Sequence, residues 1–136
     1  MELDKLPEKL VIIGGGWIAV EFAQMFSMFG SKVTILQRSG RIVKNEEPEI
    51  SEALEKELKN QGINIVTDLS FQKVYEENNI KYVTVTKDGN KQTFEGDQLL
   101  IATGRTPNSD NMGLERAGVI VDEKGFIKVN EYLQTS

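Results

Sequence analysis

The chain has no cysteine and no histidine. Without cysteine there is no disulfide and no thiolate nucleophile. Without histidine the commonest acid–base side chain is missing too. No apolar run approaches the length of a membrane span, and no signal-peptide pattern is present, so a cytoplasmic location is the expectation. An excess of positive charge is also lacking. Lys and Arg total 16 against 21 Asp and Glu, a formal net charge of −5, which argues against nucleic acid or an anionic membrane as partner. Tryptophan occurs once, at Trp17. What remains is an ordinary globular composition over 136 residues, enough for one domain with a real core.

The chain is organised around Leu10 to Glu21, LVIIGGGWIAVE. Leu10, Val11, Ile12 and Ile13 read as a short buried strand, three glycines follow, and a helical pattern then begins. Gly14, Gly16 and Ala19 fill the marked positions of G-x-G-x-x-A, with Gly15 between the first two. Gly14 allows the tight turn, Gly16 lets a pyrophosphate approach the backbone, and Ala19 lets helix pack closely on strand. The helix N-terminus, from Trp17 and Ile18 onward, offers unpaired N–H groups and partial positive charge to phosphates. A glycine fingerprint alone is weak. Here a second strand, Lys32 to Leu36, follows at the distance a βαβ unit requires, which favours dinucleotide binding.

At the end of that second strand, NAD-binding folds place an acidic residue on the ribose 2′-hydroxyl. This chain has Gln37, followed by Arg38, Arg41 and Lys44. Cations without a carboxylate suit a 2′-phosphate better than a free diol. The alternative is a solvated basic loop.

Met1 to Lys9 reads as a polar lead-in. The first helix spans roughly Trp17 to Phe29, with Ile18, Phe22, Met25 or Phe26, and Phe29 as its core face and Gly30 as its stop. A second helix spans Glu46 to Gln61, with Pro48 near its start, Ile50, Leu54 and Leu58 facing the core, and Gly62 at its end. Ile63 to Val66 is a third parallel strand. Phe71 to Glu76, Ile80 to Thr86 and Lys91 to Glu95 alternate as a three-stranded antiparallel meander, turning at Asn78-Asn79 and Asp88-Gly89. Leu99 to Ala102 returns to the parallel sheet as its fourth strand. Leu114 to Ala117 is a short helical turn closed by Gly118, and Gly125 to Val129 a last short strand. The expected fold class is α/β: a Rossmann-like three-layer domain over residues 1–136, with a parallel sheet of βαβ units and the meander in place of one crossover helix.

With these elements in place, the sequence resembles the flavin-dependent pyridine nucleotide–disulfide oxidoreductases, which include glutathione reductase, dihydrolipoamide dehydrogenase and mercuric reductase. The resemblance covers nearly the whole chain. It rests on GGGWIAVE at Gly14 to Glu21, the basic loop, the meander, and ATGRTPN at Ala102 to Asn108. TILQRS at Thr34 to Ser39, with PEISEAL at Pro48 to Leu54, is most similar to the mercuric reductases of that family.

The resemblance implies a single NAD(P)-binding domain excised from a larger FAD-dependent reductase, inactive alone, whose partners are the FAD-binding and dimerisation domains of a homodimeric parent. NADP(H) is favoured over NAD(H), with FAD held by the missing domain. No catalytic residue and no metal site are expected in this segment. Gly14, Gly16 and Ala19 would hold the pyrophosphate. Trp17 stands where relatives usually carry a Tyr that covers the nicotinamide pocket; it gates in the same way or plugs a domain interface. Glu21 matches a carboxylate that pairs with a flavin-side lysine, so in this chain it should be exposed or loosely paired. Arg38 and Lys44 match the two positions that grip the 2′-phosphate, with Arg41 a third candidate. Gln37 departs from the Glu of NAD-specific members. Gly104 matches a glycine near the nucleotide, and Arg105 a residue that ties its loop. Mercuric ion is the leading final electron acceptor, a disulfide such as that of lipoamide or glutathione the runner-up. A stand-alone, non-catalytic nucleotide-binding module is the reading from a different class.

Overall fold

The computed structural model describes residues 3–136; the first two positions of the expected lead-in, Met1 and Glu2, lie outside the described residues. The chain divides into two compact units, Met1–Thr103 and Gly104–Ser136.

In the first unit, strand β1 (Lys9–Ile13), helix α1 (Trp17–Met28), strand β2 (Lys32–Leu36), helix α2 (Pro48–Asn60) and strand β3 (Asn64–Val66) precede the antiparallel strands β4 (Ser70–Glu77), β5 (Ile80–Lys87) and β6 (Asn90–Gly96), and β7 (Gln98–Ile101) follows. The parallel sheet has the order β3-β2-β1-β7, and the meander is a separate sheet, β4-β5-β6. Sequence alternation assigns the two faces. Leu10 and Ile12 of β1, with Val33 and Ile35 of β2, share a core with Ala19, Val20, Ala23 and Phe26 of α1 and Leu58 of α2. Val11, Ile13 and Leu36 point the other way and pack with Leu69 and with Val83 and Val85 of β5. Helices, parallel sheet and meander therefore form three layers, as the sequence implies.

Both helices end in the same hydrogen-bonded motif. Ser31 N–H donates to Phe26 and Gly30 N–H to Ser27; Ile63 N–H donates to Leu58 and Gly62 N–H to Lys59. The helix faces differ from expectation in detail. Phe29 is the C-cap of α1 and is 63% exposed. Of the Met25/Phe26 pair, Phe26 is the buried one. In α2 the inward positions are Ser51, Leu54 and Leu58, while Ile50 is exposed. Ser51 takes the core position because its hydroxyl donates to the Ile42 carbonyl at 2.7 Å, which lets a polar side chain be fully buried. The meander turns at Asn78-Asn79 and Asp88-Gly89, all four with positive φ, as two-residue hairpin loops require. At the start of β1 the Lys9 ammonium donates to Glu95 at 2.7 Å; that hydrogen bond first, and the carboxylate charge second, hold its pKa above the usual lysine value.

In the second unit, Leu114–Ala117 forms a 3-10 turn capped by Gly118, as expected. The expected strand at Gly125 to Val129 does not form. Only one antiparallel bridge, Val121 to Ile127, is present. Asp122 N–H donates to the Phe126 carbonyl at 2.8 Å and Lys128 N–H to the Ile120 carbonyl at 2.9 Å, so a short irregular hairpin forms, and Asp122 Oδ1 closes its turn by accepting the N–H groups of Lys124 and Phe126. Among the described residues, no helix is long and apolar enough to cross a membrane.

Candidate nucleotide site

The site starts where β1 stops. Gly14 has φ +112, and its N–H donates across to the Leu36 carbonyl at 2.9 Å. A Cβ there would lie 2.8 Å from the Ala102 carbonyl carbon and overlap its oxygen. Gly14 is therefore needed for close approach to the end of β7 as well as for the turn. A Cβ on Gly15 would meet the Gln37 side chain at 3.0 Å. Gly16 differs: a Cβ on it would have nothing within 4 Å, and its φ of −81 is open to any residue. Gly16 is also the N-cap of α1 with no side-chain cap, and the first turn carries no acidic residue. The start of α1 is thus uncapped beside a bare glycine with open space at its Cβ position, an arrangement with room for an anion at the helix N-terminus.

The loop after β2 wraps this turn. Gln37 N–H donates to Val66 at 2.9 Å, and Val43 N–H donates to the Gly15 carbonyl at 2.6 Å. The Gln37 carboxamide donates to Ser39 Oγ at 2.6 Å, and that hydroxyl donates to the Arg41 carbonyl at 3.1 Å. Ile42 and Val43 are buried in the helix-side core. The cations on either side of them divide into two kinds. Arg38 and Lys44 are exposed. Arg41 is half-buried, and its Nη2 donates to the carbonyls of Lys44 at 3.0 Å and Glu46 at 3.3 Å.

Trp17 opens α1 and is 49% exposed. Its indole N–H donates to Glu46 Oε1 at 3.2 Å. Ile18 is half-buried and Ala19 fully buried, so the third motif position serves helix packing. Glu21 is exposed and lies one turn beyond Trp17 on the same side of α1. The structure thus gathers Gly14, Gly15, Gly16, Trp17, Gln37 and Arg41 around one turn. Gly104, φ +154, belongs to the second unit, where it is exposed, as is Arg105. Val43, Glu46, Ser39 and Ala102 were not singled out from the sequence. Val43, Glu46 and Ala102 act through a backbone group or a partner distant in the chain, while Ser39 bonds its near neighbours Gln37 and Arg41 through its hydroxyl.

A parallel sheet of order β3-β2-β1-β7, with a glycine turn opening the first helix, defines a Rossmann-type α/β unit. The comparisons name its family. The chain belongs to the pyridine nucleotide-disulphide oxidoreductases, whose family profile matches residues 1–136. It is 45% identical to a mercuric reductase of Staphylococcus aureus over 100% of this chain and 25% of that protein. It is 35% identical to a dihydrolipoyl dehydrogenase of Geobacillus stearothermophilus over 100% of this chain and 29% of that one. Among solved structures it is similar to the HOCl-induced flavoprotein disulfide reductase RclA from Escherichia coli, with TM-score 0.79 and 36% identity over 98% of this chain and 30% of that one. The chain thus spans about a quarter of the length of the curated relatives it matches. The family consists of flavin-dependent oxidoreductases that bind FAD and a pyridine nucleotide.

Proposed function

We infer that this chain is the pyridine-nucleotide-binding part of a larger flavin-dependent reductase, and that it prefers NADPH. One observation carries the reading. The uncapped N-terminus of α1 opens over a glycine with free space at its Cβ position, beside a loop bearing exposed Arg38 and Lys44. The N–H groups of α1 bind the pyrophosphate. Arg38 and Lys44 bind the 2′-phosphate, and the neutral Gln37 does not repel it. Trp17 covers the nicotinamide end and Glu21 faces the flavin-bearing part of the parent. When bound, the nicotinamide supplies a hydride and FAD accepts it; this chain supplies binding, orientation and cofactor choice. The mercuric reductase relatives support mercuric ion as the final acceptor of the parent. A disulfide acceptor is the second reading, favoured by the 35% identity to a dihydrolipoyl dehydrogenase.

The test is a titration of the chain with NADPH and with NADH, following the fluorescence of its one tryptophan. NADPH should bind about tenfold more tightly, or ~1.4 kcal/mol. Equal binding, or tighter NADH, overturns the 2′-phosphate assignment and puts the dihydrolipoyl-dehydrogenase-like reading ahead.

A further inference from the structure

We propose that Arg41 is a positioning residue for the nucleotide site: its guanidinium is the clasp that holds the loop against the glycine turn, and it is not a phosphate ligand. The proposal rests on the nucleotide-binding reading above.

Three observations converge on it. First, Val43 has φ 38, a left-handed conformation that a β-branched residue adopts only under constraint. Second, that strained residue makes the contact that matters for the site, since its N–H donates to the Gly15 carbonyl at 2.6 Å. Third, the Arg41 guanidinium spans the bend. One nitrogen donates to the carbonyl just after Val43, on Lys44, and to that of Glu46, while Glu46 N–H returns to the Val43 carbonyl at 2.8 Å. The bend is thus closed by backbone on one side and by a charged side chain on the other. The buried side chains of Ile42 and Val43 anchor its middle. Arg38 and Lys44 lie outside the clasp, exposed to solvent.

Glu46 extends the consequence. Its carbonyl accepts from Arg41 and its carboxylate from Trp17, so the clasp also fixes the residue that holds the indole ring. Releasing Arg41 loosens the pyrophosphate turn through Val43 and the ring through Glu46. A residue placed in this way supports binding of any dinucleotide. A residue that touches the 2′-phosphate supports NADPH alone.

The experiment compares Arg41→Gln with Arg38→Gln and Lys44→Gln in the 136-residue chain. Amide hydrogen exchange is measured without nucleotide, and affinities for NADPH and NADH are measured by calorimetry. With R41Q, exchange at the Val43 and Glu46 amides should rise about tenfold or more while the rest of the core stays protected. NADPH and NADH should both weaken, by a similar factor of about three to ten. R38Q and K44Q should leave Val43 exchange unchanged and weaken NADPH alone. Arg41 is a ligand contact, and the proposal is overturned, if R41Q weakens NADPH only and the two amides stay as protected as in the parent sequence. Should R41Q lose the dispersed amide spectrum of the fold, Arg41→Lys is judged by the same criteria. An unmodified chain that shows no NADPH preference removes the 2′-phosphate assignment, while the exchange data still decide the role of Arg41.

Discussion

The glycine turn and the basic loop lie against each other and are built on opposite principles. The turn is made of missing side chains. Gly14 is bare because the Ala102 carbonyl occupies the space, and Gly16 is bare with nothing near it. The loop is held by side chains that bond its backbone: Ser39 and Arg41 from within it, and Ser51 from α2, all donate to its carbonyls. At Gly14 the turn is set by a steric contact with the Ala102 backbone, which leaves no room for a side chain. The loop is fixed by hydrogen bonds of modest individual strength, about 0.5 to 1.5 kcal/mol each when neutral and more when charged. Two glycines in one motif thus stand in opposite surroundings: the fold itself excludes a side chain at Gly14, whereas at Gly16 it leaves the space open.

The sharpest way to break that contrast is Gly14→Ala. The new methyl meets backbone that cannot move away, at a φ that alanine resists, so the chain should lose about 3 kcal/mol or more of stability. Chemical denaturation measures it, and a loss under 1 kcal/mol would mean that the end of β7 is free to shift. Ser51→Ala comes next. It leaves the Ile42 carbonyl without its buried donor, and a loss of roughly 1 to 3 kcal/mol is expected. The same denaturation series checks it; no loss would mean that Ser51 merely fills space. Gly16→Ala is the mildest for folding, within about 0.5 kcal/mol of the parent sequence because its Cβ meets nothing. Its effect belongs to binding. Affinity for both NADPH and NADH should fall about tenfold as the methyl enters the phosphate position. An alanine variant that binds either nucleotide unchanged removes Gly16 from the site.

Within the first unit the sheet and meander were legible because their signals are local. Alternation in β1 and β2 sorts residues to the two faces, and paired turn residues mark both hairpins. The second unit was less so. Its 3-10 turn with Gly118 was readable from a short apolar-polar pattern. The apolar run after Gly125 reads as a strand by composition, yet it pairs over only a few residues, and the Asp122 carboxylate takes the Phe126 N–H that a regular ladder would use. Ser51 was missed for a related reason. A serine on a helix reads as surface until a carbonyl from another segment is placed beside it.

The sequence by itself determined the βαβ start, the place of the glycine turn, the meander and the set of cations after β2. Each of these follows from residue type and spacing within a few positions. Only the tertiary structure decided which cations are free. Arg38, Arg41 and Lys44 look alike as a string, and Arg41 is set apart by carbonyls that a bend at Val43 brings within its reach. Likewise Gly14 shows its second reason for being glycine only when β7, formed some 85 residues later, lays the Ala102 carbonyl against it. Local conformation is a property of neighbours in the chain. The use to which a side chain is put depends on partners that only folding supplies.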